Sequence, residues 1–253
     1  MRPRVRIAIL AAVSIAAIVA VILHGPIPQP PGYHAFADQR ALLGIPNFGN
    51  VMSNLAFLFV GWAGIRALSG QQPTGIIPSL RRAYLCLFAG IVLVGIASGY
   101  YHLAPSDAAL VWDRLPMTIA FTALFAIVIG EHIDPKIGLR VLAPLMVVGA
   151  GSVLYWHLSG DLRPYVVVQF LPLLLVPLIL LLYPSRLSHV GYLWALLGAY
   201  VLAKLLENAD QAIFAWGHIV SGHTLKHLSA GLGMYLLVVA VRRRRLVTVA
   251  SAA

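Results

Sequence analysis

Long apolar runs, each closed by proline, glycine or charge, divide the chain into eight segments of near-membrane length. They cover roughly 6–23, 48–68, 82–102, 112–130, 138–157, 165–183, 189–208 and 221–241. Several reach the about 18–20 apolar residues that a helix needs to cross a hydrocarbon core of about 30 Å. The pattern predicts an all-α, polytopic membrane bundle with a seven-helix core and one additional N-terminal helix. Four regions follow: an anchor helix over 1–24, a linker over 25–46, the core over 47–241 and a basic tail over 242–253. The first helix follows "MRPRVR" and resembles a signal peptide in its flanks, but its apolar run is long, which favours an uncleaved anchor.

Composition agrees. Of 253 residues, 60% are hydrophobic and 10% charged, with a mean hydropathy of +0.87. Soluble domains run nearer 45–50% apolar and about 25% charged. The net charge of +10 would suggest nucleic acid in a soluble chain. Here the basic residues sit in short loops and tails, where they set orientation, so nucleic acid is not an expected partner. With the N-terminus cytoplasmic, the inside loops hold Arg2, Arg4, Arg6, Arg66, Arg81, Arg82, Lys136, Arg140, Arg186 and Arg242 to Arg245. The outside loops hold only Arg40 and Arg163. That asymmetry places both termini in the cytoplasm. "RRRR" (242–245) reads as an anchor beside anionic lipid. A single cysteine, Cys86, rules out an intramolecular disulfide.

Polar residues inside membrane helices are costly and usually functional. In this topology they collect at one depth. The third span ends in "SGYYH", bringing Ser98 and His102 to the outer surface, and the fourth begins there with "WDRLPM" and Asp113. The seventh ends in "KLLENAD", with Lys204, Glu207 and Asp210; the eighth begins in "SGHTLKH", with His223 and His227. "NFGNVMSN" opens the second span and adds Asn47, Asn50 and Ser53. Asn50, Ser53, Glu207 and Asp210 are therefore candidates for supporting the site or touching its substrate, although Glu207 and Asp210 equally suit an ion pair with Lys204.

His223 and His227, four apart, share a helix face and can offer two ligands to one metal. His102 would complete a three-histidine set with a position left for water, Ser98 lies one turn deeper on its face, and Asp113 is a candidate proton carrier. Haem between helices and plain interhelical hydrogen bonding stay open on these residues. Lys226 is expected to snorkel outward. His157 and His218 are minor ligand candidates, and His24, His34, His132 and His189 are expected to face solvent.

"NVMSN" (50–54), "SGYYH" (98–102), "WDRLPM" (112–117) and "SGHTLKH" (221–227) together resemble the alkaline ceramidase family. That family belongs to a superfamily of seven-helix membrane hydrolases that includes the adiponectin receptors. The resemblance covers roughly residues 36–241. It implies zinc held by His102, His223 and His227, with Ser98 and Asp113 beside bound water. It further implies hydrolysis of ceramide to a sphingoid base and a fatty acid, and so a membrane lipid as partner. The eukaryotic members carry an acidic segment before the first core helix that contributes to a calcium site. Here only Asp38 remains, and Asn47 stands where a ligand glutamate would align, which argues against calcium. These departures and the "ENAD" segment (207–210) point to a divergent branch and favour a bacterial inner membrane over a eukaryotic secretory one.

The leading expectation is thus a zinc-dependent lipid amidase with its site towards the extracytoplasmic side. A membrane metalloprotease would need HExxH, which the chain lacks. A receptor or transporter using the same polar cluster for ligand or proton binding is the non-enzymatic alternative.

Overall fold

The computed structural model describes residues 1–69 and 75–247. Each predicted segment is helical. Helix α1 spans Pro3–His24, α2 Phe48–Ser53, α3 Leu55–Ser69, α4 Arg81–Leu103 and α5 Asp107–His132. Then come α6 Pro135–Ser159, α7 Arg163–Leu182, α8 Gly191–Asn208, α9 Asp210–Gly217 and α10 Gly222–Arg243. Among the described residues, seven segments are long and apolar enough to cross a membrane, α2 and α3 counting as one. The chain is a multi-pass membrane protein. Lys204 and Glu207 dilute the apolar run of α8, the remaining long helix of the core.

Local chemistry sets the helix ends. Ser106 caps α5 by accepting from the Ala109 N–H at 3.2 Å, and Ser221 caps α10 by accepting from Thr224 N–H at 3.2 Å. Asp134 accepts from Lys136 and Ile137 N–H ahead of Pro135, which needs no donor at the first helical position. Gly160, at φ 74°, closes α6 in the left-handed region.

The second predicted span is broken, and Asn54 marks the break. The Asn50 carbonyl accepts from Ser53 Oγ at 3.0 Å and from Asn54 Nδ2 at 2.7 Å. These side chains take the acceptor that a continuous helix would give to the Asn54 N–H, which bonds to Val51 O instead. The short α9 was not expected from the apolar pattern either.

Helix α1 buries none of its residues and touches the bundle along α7. The core helices pack more tightly. At the α5–α6 crossing, a Cβ on Gly138 would stand 2.6 Å from Ala126 O, so glycine permits that approach.

One expectation about the C-terminal end needs correction. Arg244 of "RRRR" does not face lipid headgroups: it is buried, with Nη1 donating to Glu131 Oε2 at 3.0 Å and Nη2 to Gly75 O at 3.1 Å. Tyr84 Oη also donates to Glu131. The following residues run beside the α7–α8 loop, Ser188 N–H donating to Arg245 O at 2.9 Å. Residues 248–253 of the expected basic tail lie outside the described residues. The linker is fixed to the bundle at two points. Ile27 N–H donates to Asp161 Oδ1 at 3.1 Å and Ala37 N–H to Asp210 Oδ2 at 2.9 Å. These bonds strap it across the histidine-bearing end of the bundle.

Candidate metal and active site

The three candidate ligands meet. His102 arrives at the end of α4, while His223 and His227 leave the first turns of α10; all three are buried. Ring nitrogens, one from each, lie within 4.8 Å of one another. His102 Nε2 and His223 Nε2 are 3.3 Å apart. Two imidazoles on a tetrahedral metal at about 2.0–2.1 Å should sit about 3.3 Å apart, so this donor set fits a zinc-sized ion.

Surrounding bonds orient the rings. Ser53 Oγ donates to Asn50 O, which spends its one proton. It therefore accepts from His227 Nδ1–H at 2.8 Å and leaves the Nε2 lone pair free to turn towards the other histidines. His223 is held through its backbone, whose N–H donates to Asp210 Oδ1 at 2.7 Å. Gly222, just before it, lies so close to the Leu206 carbonyl that no side chain fits there. Asn47 Nδ2 donates to the His102 carbonyl at 2.9 Å and ties the start of α2 to the end of α4. Asn50 Oδ1 accepts from Thr224 Oγ1 at 2.9 Å, pinning α2 to α10.

Ser98 and Asp113 are buried and line one cavity with the three histidines. Asp113 Oδ1 has no hydrogen-bond partner in the protein. The cavity measures about 620 Å³, within the usual range for small-molecule sites. Its far wall is apolar, with Leu87, Ile91, Leu124, Phe125, Leu173 and Met234. From Asp113 to Phe125 along α5 is roughly 18 Å at 1.5 Å per residue. A long chain can lie there with its polar end among the histidines.

The linker roofs this site. Phe36 packs its ring 4.7 Å from the His102 ring and 4.5 Å from that of His223. Arg40 fixes the segment, donating from Nε and Nη2 to both oxygens of Asp38 at 2.8 Å. The same guanidinium donates to His218 O at 2.6 Å and Ile219 O at 2.8 Å. The Arg40 hydrogen bonds hold the Asp38 carboxyl below its ordinary range. Sequence reasoning missed this roof, because nothing in a proline-rich stretch signals which helix ends it touches.

Several histidine and lysine expectations change. His34 is tucked between Tyr101 and Asp107, its Nδ1 2.8 Å from Tyr101 Oη and its Nε2 3.1 Å from Asp107 Oδ1. His132 is buried against the Tyr183 carbonyl at 3.2 Å. His24 and His189 are exposed as expected. His157 and His218 are exposed as well, and neither joins the histidine cluster. Lys226 does not snorkel: its Nζ donates to Glu207 Oε1 at 2.5 Å, and Lys204 Nζ donates to Oε2 at 2.6 Å. Glu207 thus bridges two lysines, and Asp210 braces the linker and α10.

Compared with known families, the chain matches the family model described as Ceramidase over residues 43–252. No curated protein matches it.

Proposed function

The chain belongs to the ceramidase family and is a ceramidase-like hydrolase; from that premise we propose that it is a zinc-dependent lipid amidase cleaving ceramide-like substrates. The observation that carries this reading is the 3.3 Å approach of His102 Nε2 to His223 Nε2 with His227 beside them. His102, His223 and His227 hold the metal. When bound, zinc supplies a water acidic enough to attack at neutral pH and polarises the amide carbonyl.

The chain's own residues do the rest. The apolar wall of the cavity takes the acyl chain and sets the amide at the histidine level. Asp113 Oδ1, with no other partner, takes a proton from the attacking water and returns it to the leaving nitrogen. The acyl carbon gains a C–O bond, the C–N bond breaks, and the amine leaves protonated. Ser98 Oγ donates to the carbonyl oxygen as its charge grows. Phe36 and the linker keep bulk water from the reacting atoms. Calcium has no part in this scheme, because the Arg40 guanidinium already fills the space between Asp38 and the His218 and Ile219 carbonyls. The excess of basic residues in the opposite loops supports an extracytoplasmic site, and the departures at Asp38, Asn47 and "ENAD" (207–210) favour a bacterial inner membrane.

The test is metal analysis joined to an assay on the purified full chain. Ceramides of several chain lengths should release free fatty acid, and His102→Ala and His227→Ala should lose both metal and activity. Full metal content in both variants, or no fatty acid from any ceramide, would overturn the reading.

A further inference from the structure

From Val166 to its end at Leu182, helix α7 carries a single polar side chain, Gln169. An amide at that depth is costly unless it is bonded. Gln169 is buried, and its Nε2 donates to Tyr200 Oη on α8 at 2.9 Å. That bond uses only part of what the two groups offer. Gln169 Oε1 and the Tyr200 hydroxyl proton have no partner among the described residues. Turning the amide over exchanges the roles and still leaves one donor beside one acceptor.

Both side chains line the histidine cavity, and the hydrolysis described above uses neither. Two helices give their depth. Along α8, Tyr200 lies about 10 Å below Glu207, the residue that meets Lys226 beside the histidines. The Tyr200 ring also meets Phe121 at 6.0 Å between centroids, and Phe121 lies about 12 Å beyond Asp113 on α5. One turn deeper the wall is apolar on both helices, with Leu173 and Leu196. The pair is thus a polar step within the wall that takes the acyl chain. A plain hydrocarbon chain passing this step covers both groups and leaves them unpaired. A hydroxyl on the chain answers both, donating to Gln169 Oε1 and accepting from Tyr200. A chain carbonyl only accepts, and a carbon–carbon double bond does neither. With 1.52 Å bonds at about 111°, an extended chain advances about 1.25 Å per bond. The two depths therefore place the hydroxyl about eight to ten bonds from the amide carbonyl.

Resting on the amidase reading, we propose that Gln169 and Tyr200 bind a mid-chain hydroxyl, so that amides of hydroxylated long-chain fatty acids are hydrolysed in preference to amides of plain ones. Water adds its oxygen to the acyl carbon, the C–N bond breaks, and the nitrogen leaves with a proton as the free base. The other product is a hydroxy fatty acid, whose chain hydroxyl is unchanged. Gln169 and Tyr200 are specificity-determining residues and take no proton from the reaction.

The experiment compares three ceramides with one sphingoid base on the metal-loaded full chain. Their acyl groups are octadecanoyl, 2-hydroxyoctadecanoyl and 10-hydroxyoctadecanoyl. The 10-hydroxy substrate should show a kcat/KM about tenfold above the other two, as expected for two neutral hydrogen bonds. Gln169→Met and Tyr200→Phe should each bring that ratio to about threefold or less. Because the ratio is taken within each variant, a bond that only ties α7 to α8 would leave it unchanged, and that result would overturn the proposal. Binding gives a readout independent of turnover. In the parent, 10-hydroxyoctadecanoic acid should displace a bound fluorescent fatty acid at lower concentration than octadecanoic acid does, and the variants should lose that difference. Hydrolysis of all three ceramides without preference, or with the 2-hydroxy substrate preferred, would overturn this proposal and leave the amidase standing. Hydrolysis of none, in a protein that holds its metal, would overturn both.

Discussion

Ser53 Oγ sits 2.8 Å from His227 Nδ1, joining α2 to α10 across 174 positions of sequence. Because the serine proton goes to the Asn50 carbonyl, this contact decides which imidazole nitrogen is free. Ser53→Ala should leave the fold intact and weaken zinc about 10–100-fold, the usual effect of removing a partner that orients a ligand. Competition with a chelator of known affinity measures it. An unchanged zinc affinity would remove the orienting role.

The ligands and the proton carrier should separate cleanly. The purified chain should hold about one zinc, and His102→Ala, His223→Ala or His227→Ala should lose most of it. Asp113→Asn should keep the metal while hydrolysis falls about 10²–10⁴-fold. Elemental analysis beside fatty-acid release gives both readings, and an active Asp113→Asn would dismiss the proton-transfer role. Should the variant and the parent both lack hydrolysis while retaining a ligand response, the receptor reading of the same cluster would take over.

The roof carries its own pH dependence. The Arg40 hydrogen bonds lower the Asp38 carboxyl below its ordinary value of 3.8. A depressed carboxylate gives its full stabilisation above that value and loses it as pH falls through the lower, folded one. The linker should therefore resist protease from neutral pH down to about 4 and open below it. Arg40→Gln should open it at neutral pH too. Calcium chelation should change neither protection nor activity; loss of activity in EGTA, restored by calcium, would sink the internal-cation account.

At the other end of the bundle, Arg244→Ala leaves Glu131 buried without its cation. Removing one partner of a buried pair costs about 3–5 kcal/mol. A lower melting temperature is expected, with zinc content per folded chain unchanged, since residues 228–243 of α10 lie between His227 and Arg244. Thermal unfolding with metal analysis on the soluble fraction tests both halves.

The eight long helices were legible because apolar run length is almost the only thing a membrane asks of a span. The depth of His102, His223 and His227 was legible for the same reason: once direction alternates, helix ends fall at two levels. What escaped depended on side chains choosing partners. Nothing in the run 48–68 says that Ser53 and Asn54 will claim the Asn50 carbonyl. Lys226 looked free to reach water, yet Glu207 on another helix holds it. His34, His132 and Arg244 were read as surface groups because loops and tails usually are, and each found a partner far away in sequence.

The histidine set is split between α4 and the last long helix, with four long helices and the short α9 made in between. During synthesis, the chain therefore emerges and inserts nearly all of itself before it owns a complete ligand set. His102 waits, and only the arrival of α10 closes the triad beneath Phe36. If the triad is the active site, a chain stalled before α10 lacks two of its three histidines and should show no hydrolysis. Under the proposed zinc reading, bound metal then reports that α10 has been inserted.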